Sequence, residues 1–319
     1  GGAVFIGGRD VSAINGLRIT ANSPPYTIYA DDTSEVYGIA DPFEYRSPVV
    51  TQRAVFLPLE GLVIGIVGNR IYGSYDVGKT WDVFHTFPVE AIHHVTVVPH
   101  RTSDAGYRLV AFGSDDNQMS IYLSTDSGNS WTEVHQRAGT SGGLVSYDCA
   151  ASDDGVVIGT SLGNSSLDRG FYRSDDHGNT WSFERWADFA PWWSVEFVGQ
   201  STFVAGTWYA MSDQVWRSID GGVTWDAIWT ENVRRINRIS WLGDDNALFV
   251  VTRDNVMSYY LMAENLTAPD ENDIVWNQVL SFSDGVSQWD SVDIVRSSDR
   301  LFVATPRYVR VSDDSGLTW

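Results

Sequence analysis

The chain has 319 residues, of which 43% are hydrophobic and 19% charged, a composition that suits a globular protein with a sizeable core and excludes a disordered one. Its 41 Asp and Glu residues against 21 Lys and Arg residues give a net charge of −20, which repels phosphate backbones and anionic headgroups and argues against nucleic acid as a main partner. No apolar run reaches the ~18 residues of a membrane span, so no membrane insertion is predicted, and a single cysteine, Cys149, excludes an intrachain disulfide.

The N-terminal part of the chain predicts a short strand and then a degenerate repeat. Residues 3–6 form an apolar run that suits a strand. Residues 37–41 align with residues 72–76, where a clearer repeat begins, but the motif is cut short at Pro42. We therefore predict a first, worn repeat over residues 14–48.

An octapeptide with the pattern SxDxGxTW, with Ser in place of Thr in one copy, then recurs five times. We call each copy a box. The aspartate and tryptophan of the five boxes are Asp76 and Trp81, Asp126 and Trp131, Asp176 and Trp181, Asp220 and Trp225, and Asp314 and Trp319. The tryptophans are spaced by 50, 50, 44 and then 94 residues. The long interval predicts one more repeat with a decayed box, in which Trp276 takes the place of the box tryptophan.

Each repeat holds short β-rich runs separated by turn residues, and four strands in about 45 residues are typical of a propeller blade. The sequence predicts an all-β, seven-bladed β-propeller in a single domain over residues 1–319. The predicted blades are approximately residues 14–48, 51–88, 92–137, 143–187, 191–231, 235–283, and 288–319 together with 3–7. The last blade lacks its outer strand, which we expect the N-terminal strand to supply, closing the ring; the alternative is a strand beyond Trp319.

The boxes are predicted to be structural. At a hairpin between the third and outer strands, an aspartate accepts backbone N–H groups and a glycine adopts positive φ. The tryptophan is expected to pack between neighbouring blades. One aspartate per repeat cannot assemble the ligands of a metal ion, so no metal site is expected there.

These motifs resemble the Asp-box, or BNR-repeat, propellers, which include sialidases, two-propeller endoglucanases, sortilin-type receptors, photosystem assembly factors and phage tail proteins. The resemblance covers nearly the whole chain and implies a ligand site on the face opposite the boxes. It implies no single function. A sialidase of this family carries an Arg-Ile-Pro signature and a later Asp-x-Arg, whereas this chain has Arg18-Ile19-Thr20 and Asp41-Pro42-Phe43. A sialidase is therefore not the main prediction.

The candidate ligand-binding residues lie in loops on the face opposite the boxes, which we call the loop face. Aromatic and arginine side chains suit sugar rings, carboxylated glycans or a protein hot spot. The candidates are Trp192, Trp193, Trp208, Tyr209, Arg234, Arg235, Trp289, Arg307 and Tyr308. The alternative is that the aromatic residues pack in the core, because one of two adjacent strand residues, such as Trp192 and Trp193, faces the neighbouring sheet.

Catalysis is not indicated by any motif. Glycoside hydrolysis needs two carboxylates across a cleft, and the candidates at the starts of inner strands are Asp148, Glu196, Asp290 and Asp293. The adjacent His93 and His94 point to opposite faces of a strand and cannot chelate one metal ion together. No phosphate-binding loop or nucleophile elbow occurs, so no cofactor is predicted.

We therefore predict a non-enzymatic binding or structural propeller. Its expected setting is extracellular or on a virion, as a tail or surface component. Its expected partner is a surface glycan or another protein of a larger assembly, bound through the loop face. The alternative is an Asp-box glycoside hydrolase, either sialidase-like or endoglucanase-like, and two carboxylates converging on the loop face would distinguish it.

Overall fold

The computed structural model describes residues 3–4, 17–21, 27–30, 36–37, 53–57, 60–76, 78, 80–99, 106–115, 117–140, 142–185, 192–207, 213–231, 235–243, 246–253, 257–282, 293–297, 300–304, 309–314 and 318–319. Within these residues the protein is all-β, as predicted, and the strands form seven antiparallel sheets. Six of these sheets have four strands and one has three. None of the helical turns in this part of the chain is long and apolar enough to cross a membrane.

The sheets follow one another along the chain. Sheet 1 contains β1 (Ala3–Val4), β2 (Leu17–Ala21), β3 (Thr27–Ala30) and β4 (Val36–Tyr37), and sheet 2 contains β5 (Arg53–Leu57), β6 (Leu62–Val67), β7 (Arg70–Ser74) and β8 (Asp82–Thr86). Sheet 3 contains β9 (Ala91–Val98), β10 (Arg108–Asp115), β11 (Gln118–Ser124) and β12 (Thr132–Ala138). Sheet 4 contains β13 (Cys149–Ala151), β14 (Val157–Ser161), β15 (Gly170–Ser174) and β16 (Ser182–Arg185).

The remaining sheets repeat this plan. Sheet 5 contains β17 (Trp192–Gly199), β18 (Thr202–Thr207), β19 (Asp213–Ser218) and β20 (Asp226–Glu231). Sheet 6 contains β21 (Arg235–Gly243), β22 (Asn246–Arg253), β23 (Met257–Glu264) and β24 (Val275–Phe282), and sheet 7 contains β25 (Asp293–Ser297), β26 (Arg300–Ala304) and β27 (Val309–Ser312). Single 3₁₀ turns occur at Ser166–Asp168 and Glu271–Asp273.

The N-terminal strand does not join the last sheet, and this part of the fold prediction is wrong. β1 pairs antiparallel with β2, with Ala3 opposite Ala21 and Val4 opposite Thr20. In the described residues, sheet 7 keeps three strands. A partner some fifteen residues away closes a much shorter loop than a partner at the other end of the chain, and the entropic cost of closure rises with loop length.

The first strands of consecutive sheets contact one another. β5 contacts β9, β9 contacts β13, β13 contacts β17, β17 contacts β21, and β21 contacts β25. Because neighbouring strands in each sheet are antiparallel, the start of a first strand and the hairpin between the third and fourth strands lie at opposite ends of the sheet. The box hairpins therefore mark one end of the molecule and the starts of the first strands mark the other, the loop face.

The hydrophobic core lies between consecutive sheets and not inside any one sheet. Leu57, Ile64 and Ile71 of sheet 2 share one cluster with Ile92 and Leu109 of sheet 3. Three further clusters join sheets 3 and 4, sheets 4 and 5, and sheets 5 and 6 in the same way. Burial of apolar surface between two sheets stabilises the fold by about 25 cal/mol per Å². Because a single sheet has no core of its own, its stability depends on the sheets next to it.

In three of the boxes, the tryptophan packs on the core between its own sheet and the preceding sheet, as the sequence predicts. Trp131 packs against the cluster between sheets 2 and 3, Trp181 against that between sheets 3 and 4, and Trp225 against that between sheets 4 and 5. Trp276 packs in the same manner between sheets 5 and 6. The decayed repeat therefore keeps the packing role of the box after losing its motif.

The box hairpins share one pattern of hydrogen bonds, which residues 174–181 illustrate. Asp176 accepts the Thr180 N–H at 2.8 Å and the Thr180 hydroxyl at 2.6 Å, and the Ser174 hydroxyl donates to the same carboxylate at 2.8 Å. The indole of Trp181 donates to the carbonyl of Gly178, which has φ +84°. The carboxylates of the other four boxes accept the equivalent bonds.

Arginine side chains tie the boxes to the preceding sheet. Arg108 of β10 donates to the carbonyl of His177 at 2.9 Å, and Arg173 of β15 donates to the carbonyl of Gly221 at 2.9 Å. Arg217 of β19 is 3% exposed and donates to the carbonyl of Ala268 at 2.6 Å, in the connection that replaces the box of sheet 6. These bonds fix the position of each hairpin on its neighbour.

Candidate functional site

The candidate site lies at the loop face, where three first strands carry a β-bulge at the same place. The pairing of β9 with β10 passes over His93, that of β17 with β18 passes over Trp193, and that of β21 with β22 passes over Asn237. A bulge places two residues opposite one, which redirects the side chains that follow it. The strands therefore present a row of redirected residues around the loop face.

Sheet 4 has an equivalent irregularity just before β13. The backbone N–H groups of Tyr147 and Asp148 both donate to the hydroxyl of Thr160 at 3.0 Å, so two residues face one residue of β14. The residues at or directly after the irregularities in the four sheets are His94, Asp148, Ser194 and Arg238. We call these four residues the inner network.

Asp148 is the centre of the inner network and is 3% exposed. Its Oδ2 accepts the Ser194 hydroxyl at 2.8 Å, the Val195 N–H at 3.2 Å and Nη1 of Arg238 at 3.2 Å. Its Oδ1 lies 3.2 Å from Nε2 of His94. One carboxylate thus joins sheets 3, 4, 5 and 6. Charge-assisted hydrogen bonds of this kind are shorter and stronger than bonds between neutral groups.

His94 also contacts the single cysteine. Its Nδ1 lies 2.7 Å from Sγ of Cys149, and its Nε2 faces Asp148. Cys149 is 6% exposed and His94 is 9% exposed. The neighbouring His93 turns elsewhere, with Nε2 2.7 Å from the Ser114 hydroxyl. Within the described residues, no group of three or more His, Cys, Asp or Glu side chains could hold a metal ion.

Two aromatic rings form a stacked pair beside this network. The rings of Tyr147 and Trp193 have centroids 3.8 Å apart and an interplanar angle of 21°. Both side chains are half-buried, and burial raises the pKa of the Tyr147 phenol. The pair bridges sheets 4 and 5 at the starts of their first strands. An aromatic platform at this position can contact the flat face of a sugar ring.

Comparison with solved structures identifies the type of fold. No protein-family model matches the sequence. A GH74 xyloglucanase from Xanthomonas campestris superimposes with TM-score 0.60 at 15% identity, covering 100% of this chain and 59% of that chain. YCF48 from Cyanidioschyzon merolae gives TM-score 0.60 at 12% identity, covering 97% of this chain and 94% of that chain.

The protein has a β-propeller fold. The predicted fold class is confirmed at this level, whereas the number of blades stays a prediction. A further propeller, Chaetomium thermophilum Sqt1 bound to the N-terminus of the ribosomal protein L10, gives TM-score 0.52 at 10% identity, covering 97% of this chain and 98% of that chain. Identities this low establish the fold of the propeller and nothing about its ligand.

Curated relatives match parts of the propeller sequence. A probable oligoxyloglucan-reducing end-specific xyloglucanase from Neosartorya fischeri is 33% identical over 119 residues, which are 36% of this chain and 14% of that protein. Xyloglucanase Xgh74A from Acetivibrio thermocellus is 25% identical over 199 residues, which are 51% of this chain and 23% of that protein. The chain spans less than a quarter of the length of these two relatives.

Trp192 lies in the core of the propeller and does not offer a ring to a ligand. It is fully buried, and its ring stacks on Phe171 with centroids 4.6 Å apart and an interplanar angle of 9°. It also contacts the box tryptophan Trp225 at 4.4 Å. The alternative predicted for this pair of tryptophans therefore applies to Trp192, which is buried, whereas Trp193, the residue that the strand pairing passes over, is half-buried.

The other predicted ligand-binding residues lie outside what the structure describes. Arg235 begins β21, but only its backbone is described. The same holds for the carboxylate candidate Asp293 at the start of β25. The remaining candidates fall in undescribed segments; these are Trp208, Tyr209, Arg234, Trp289, Asp290, Arg307 and Tyr308.

Of the predicted carboxylates, the structure describes Glu196 and Asp148. Glu196 is half-buried on β17, opposite Val204. Asp148 occupies the inner network. Sequence reasoning missed His94, Ser194 and Arg238 as its partners, since they come from three other repeats. The feature that these three residues share in the sequence is their position near the start of the first strand of a sheet.

Proposed function

We propose that this protein is a carbohydrate-binding propeller that takes a sugar chain on its loop face. The observation that carries the proposal is the bulged Trp193 stacked on Tyr147 at the starts of two first strands. Rigid aromatic rings contribute a large contact area at a low entropic cost, which suits a flat sugar ring. This choice narrows the predicted partner from glycan or protein to glycan.

The curated relatives support a neutral glucan as the sugar. Both are named as xyloglucanases. The inner network next to the aromatic pair supports the same class, because Arg238 is already paired with Asp148. A carboxylated sugar would have to compete with that carboxylate for the guanidinium.

A non-catalytic role is supported by the environment of Asp148. A general acid needs a carboxyl that holds a proton near neutral pH, and a nucleophile needs a free oxygen. Oδ2 of Asp148 accepts hydrogen bonds from sheets 5 and 6, and Oδ1 accepts the Cys149 N–H and faces Nε2 of His94 from sheet 3. Its arrangement suits the positioning of strands.

Isothermal titration calorimetry of the full chain with xyloglucan oligosaccharides tests the proposal. Trp193→Ala and Tyr147→Ala should each weaken binding about tenfold or more, which corresponds to about 1.4 kcal/mol. Tyr75→Ala is the matched control, since Tyr75 is 63% exposed on a box hairpin at the opposite end. Failure of the wild-type chain to bind, or equal binding by the Trp193→Ala and Tyr75→Ala variants, would rule the proposal out.

The second candidate is a glycoside hydrolase of the xyloglucanase kind, which the sequence similarity to two xyloglucanases favours. A reducing-sugar assay on xyloglucan separates the two functions. Release that Glu196→Gln abolishes would establish the hydrolase, because Glu196 is a described carboxylate candidate. Binding without release supports the binding module.

We further propose membership of the Asp-box propellers, a single ring of seven blades, and a setting outside the cell or on a virion. The repeated carboxylate pattern of the boxes supports the first point, and seven consecutive sheets support the second. The acidic, lysine-poor composition suits an exposed protein. Immunogold labelling of virions and of whole cells tests the setting, and label confined to the cell interior would contradict it.

A further inference from the structure

Cys149, His94 and Asp148 have the relationship of a nucleophile, a base and the group that orients the base. Sγ of Cys149 lies 2.7 Å from Nδ1 of His94, and Nε2 of the same ring lies 3.2 Å from Oδ1 of Asp148. A nucleophile within hydrogen-bond reach of a base, with the base held by a third group, is the arrangement that activates thiols and hydroxyls.

The tautomer of His94 follows from its partners. Both oxygens of Asp148 accept hydrogen bonds from other donors, so Nε2 of His94, which faces Oδ1, must carry a hydrogen and donate it. In the neutral imidazole the lone pair then sits on Nδ1, facing the thiol. The ring is therefore set to accept the thiol proton, and the nearby carboxylate stabilises the imidazolium that forms.

We propose that Cys149 is an activated nucleophile, a thiolate paired with the imidazolium of His94, and a site of covalent modification by small uncharged electrophiles. The triad of Cys149, His94 and Asp148 is independent of the proposed carbohydrate binding, which rests on Trp193 and Tyr147. The charged and titratable groups that the described contacts link to the thiol are His94 from β9, then Asp148 beside β13 and, through Asp148, Arg238 from β21.

Burial determines which reagents reach the sulfur. Cys149 is 6% exposed and His94 is 9% exposed, near the loop-face ends of their strands. A reagent must therefore be small, and it must be uncharged to avoid desolvating a second ion beside the Asp148–Arg238 pair. Iodoacetamide meets both conditions. The thiolate forms a bond to its methylene carbon, iodide leaves with the electrons of the broken C–I bond, and the former thiol proton stays on Nδ1 of His94.

The pH dependence of alkylation distinguishes an activated thiol from an ordinary one without depending on the absolute rate. A free cysteine titrates near pH 8.5, so its rate falls about a hundredfold between pH 8.5 and pH 6. The urea-unfolded chain should show this fall. For the folded chain we expect a decrease of less than about threefold, measured by mass spectrometry of the intact protein, with Cys149→Ala unlabelled.

His94→Gln is the informative variant, because glutamine retains a donor toward Asp148 and removes the base. It should restore the hundredfold fall. If that variant does not fold, the comparison of the folded and unfolded wild-type chains decides alone. A hundredfold fall in the folded wild-type chain, or no labelling of the folded chain under conditions that label the unfolded chain, would overturn the proposal.

Discussion

The carboxylate of Asp148 lies 3.2 Å from the guanidinium of Arg238, although a complete sheet separates the sheets to which they belong. Ser194 and Val195 of that intervening sheet donate to the same carboxylate oxygen. The contact therefore holds three successive first strands at fixed distances, and breaking it loosens more than one interface.

Asp148→Asn should lower the free energy of unfolding by about 3 to 5 kcal/mol, because it leaves the largely buried guanidinium of Arg238 without its carboxylate. Urea denaturation followed by tryptophan fluorescence measures the change. Asp226→Asn is the control, since Asp226 is exposed on β20, and it should change stability by less than about 0.5 kcal/mol.

A double-mutant cycle isolates the pair. Arg238→Gln removes the cation and leaves the anion, so each single variant keeps one member of the pair without the other. The double variant should lose less stability than the two single variants together. Strict additivity would show that the 3.2 Å contact contributes nothing.

Gly159→Ala should be destabilising because the close approach of two sheets leaves no room for a methyl group. A Cβ built on Gly159 of β14 overlaps the ring of Phe112, a fully buried residue of sheet 3. Overpacking of this kind costs about 1 to 3 kcal/mol. Phe112→Leu combined with Gly159→Ala should recover part of the loss in a thermal melt. A neutral Gly159→Ala would mean that the two sheets move apart freely.

The sequence predicts the repetition of this fold better than its site. The boxes predict hairpins because each side chain in the motif bonds within eight residues, and Trp276 shows that the packing role persists without the motif. Bulges depend on how one strand registers against the next, which no local pattern specifies. Strand alternation predicted that one of Trp192 and Trp193 could face the neighbouring sheet, but neither which of the two it is nor the pairing of β1 with β2 was predictable.

The boxes make stability depend on acidic pH. Burial raises the pKa of Asp126, Asp176 and Asp220. Hydrogen bonds from the first serine of each box and from the residue before its tryptophan, a threonine or a serine, outweigh this effect and lower the pKa below the ordinary value. In the last box, hydrogen bonds from Thr318 and Ser312 lower the pKa of Asp314 to about 2.

A carboxyl group whose pKa is lower in the folded chain than in the unfolded chain stabilises the fold. This contribution is complete above the pKa in the unfolded chain, about 3.8, and is lost as pH falls through the pKa in the folded chain. We therefore expect the urea midpoint to fall steadily between about pH 4 and pH 2. Asp176→Asn should shrink this dependence, while exposed Asp82→Asn leaves it unchanged. A midpoint that is constant across this range would contradict the role given to the box carboxylates.

The adjacent tryptophans of β17 should separate stability from binding. Trp192 is fully buried between Phe171 and Trp225, so Trp192→Ala should cost about 3 to 5 kcal/mol. Trp193 is half-buried at the loop face, so Trp193→Ala should cost less in urea denaturation and lose most of the binding to xyloglucan oligosaccharides. Trp192→Phe, which keeps an aromatic ring in the core, should retain that binding. Loss of binding in Trp192→Phe together with full binding in Trp193→Ala would reverse the assignment of the two rings.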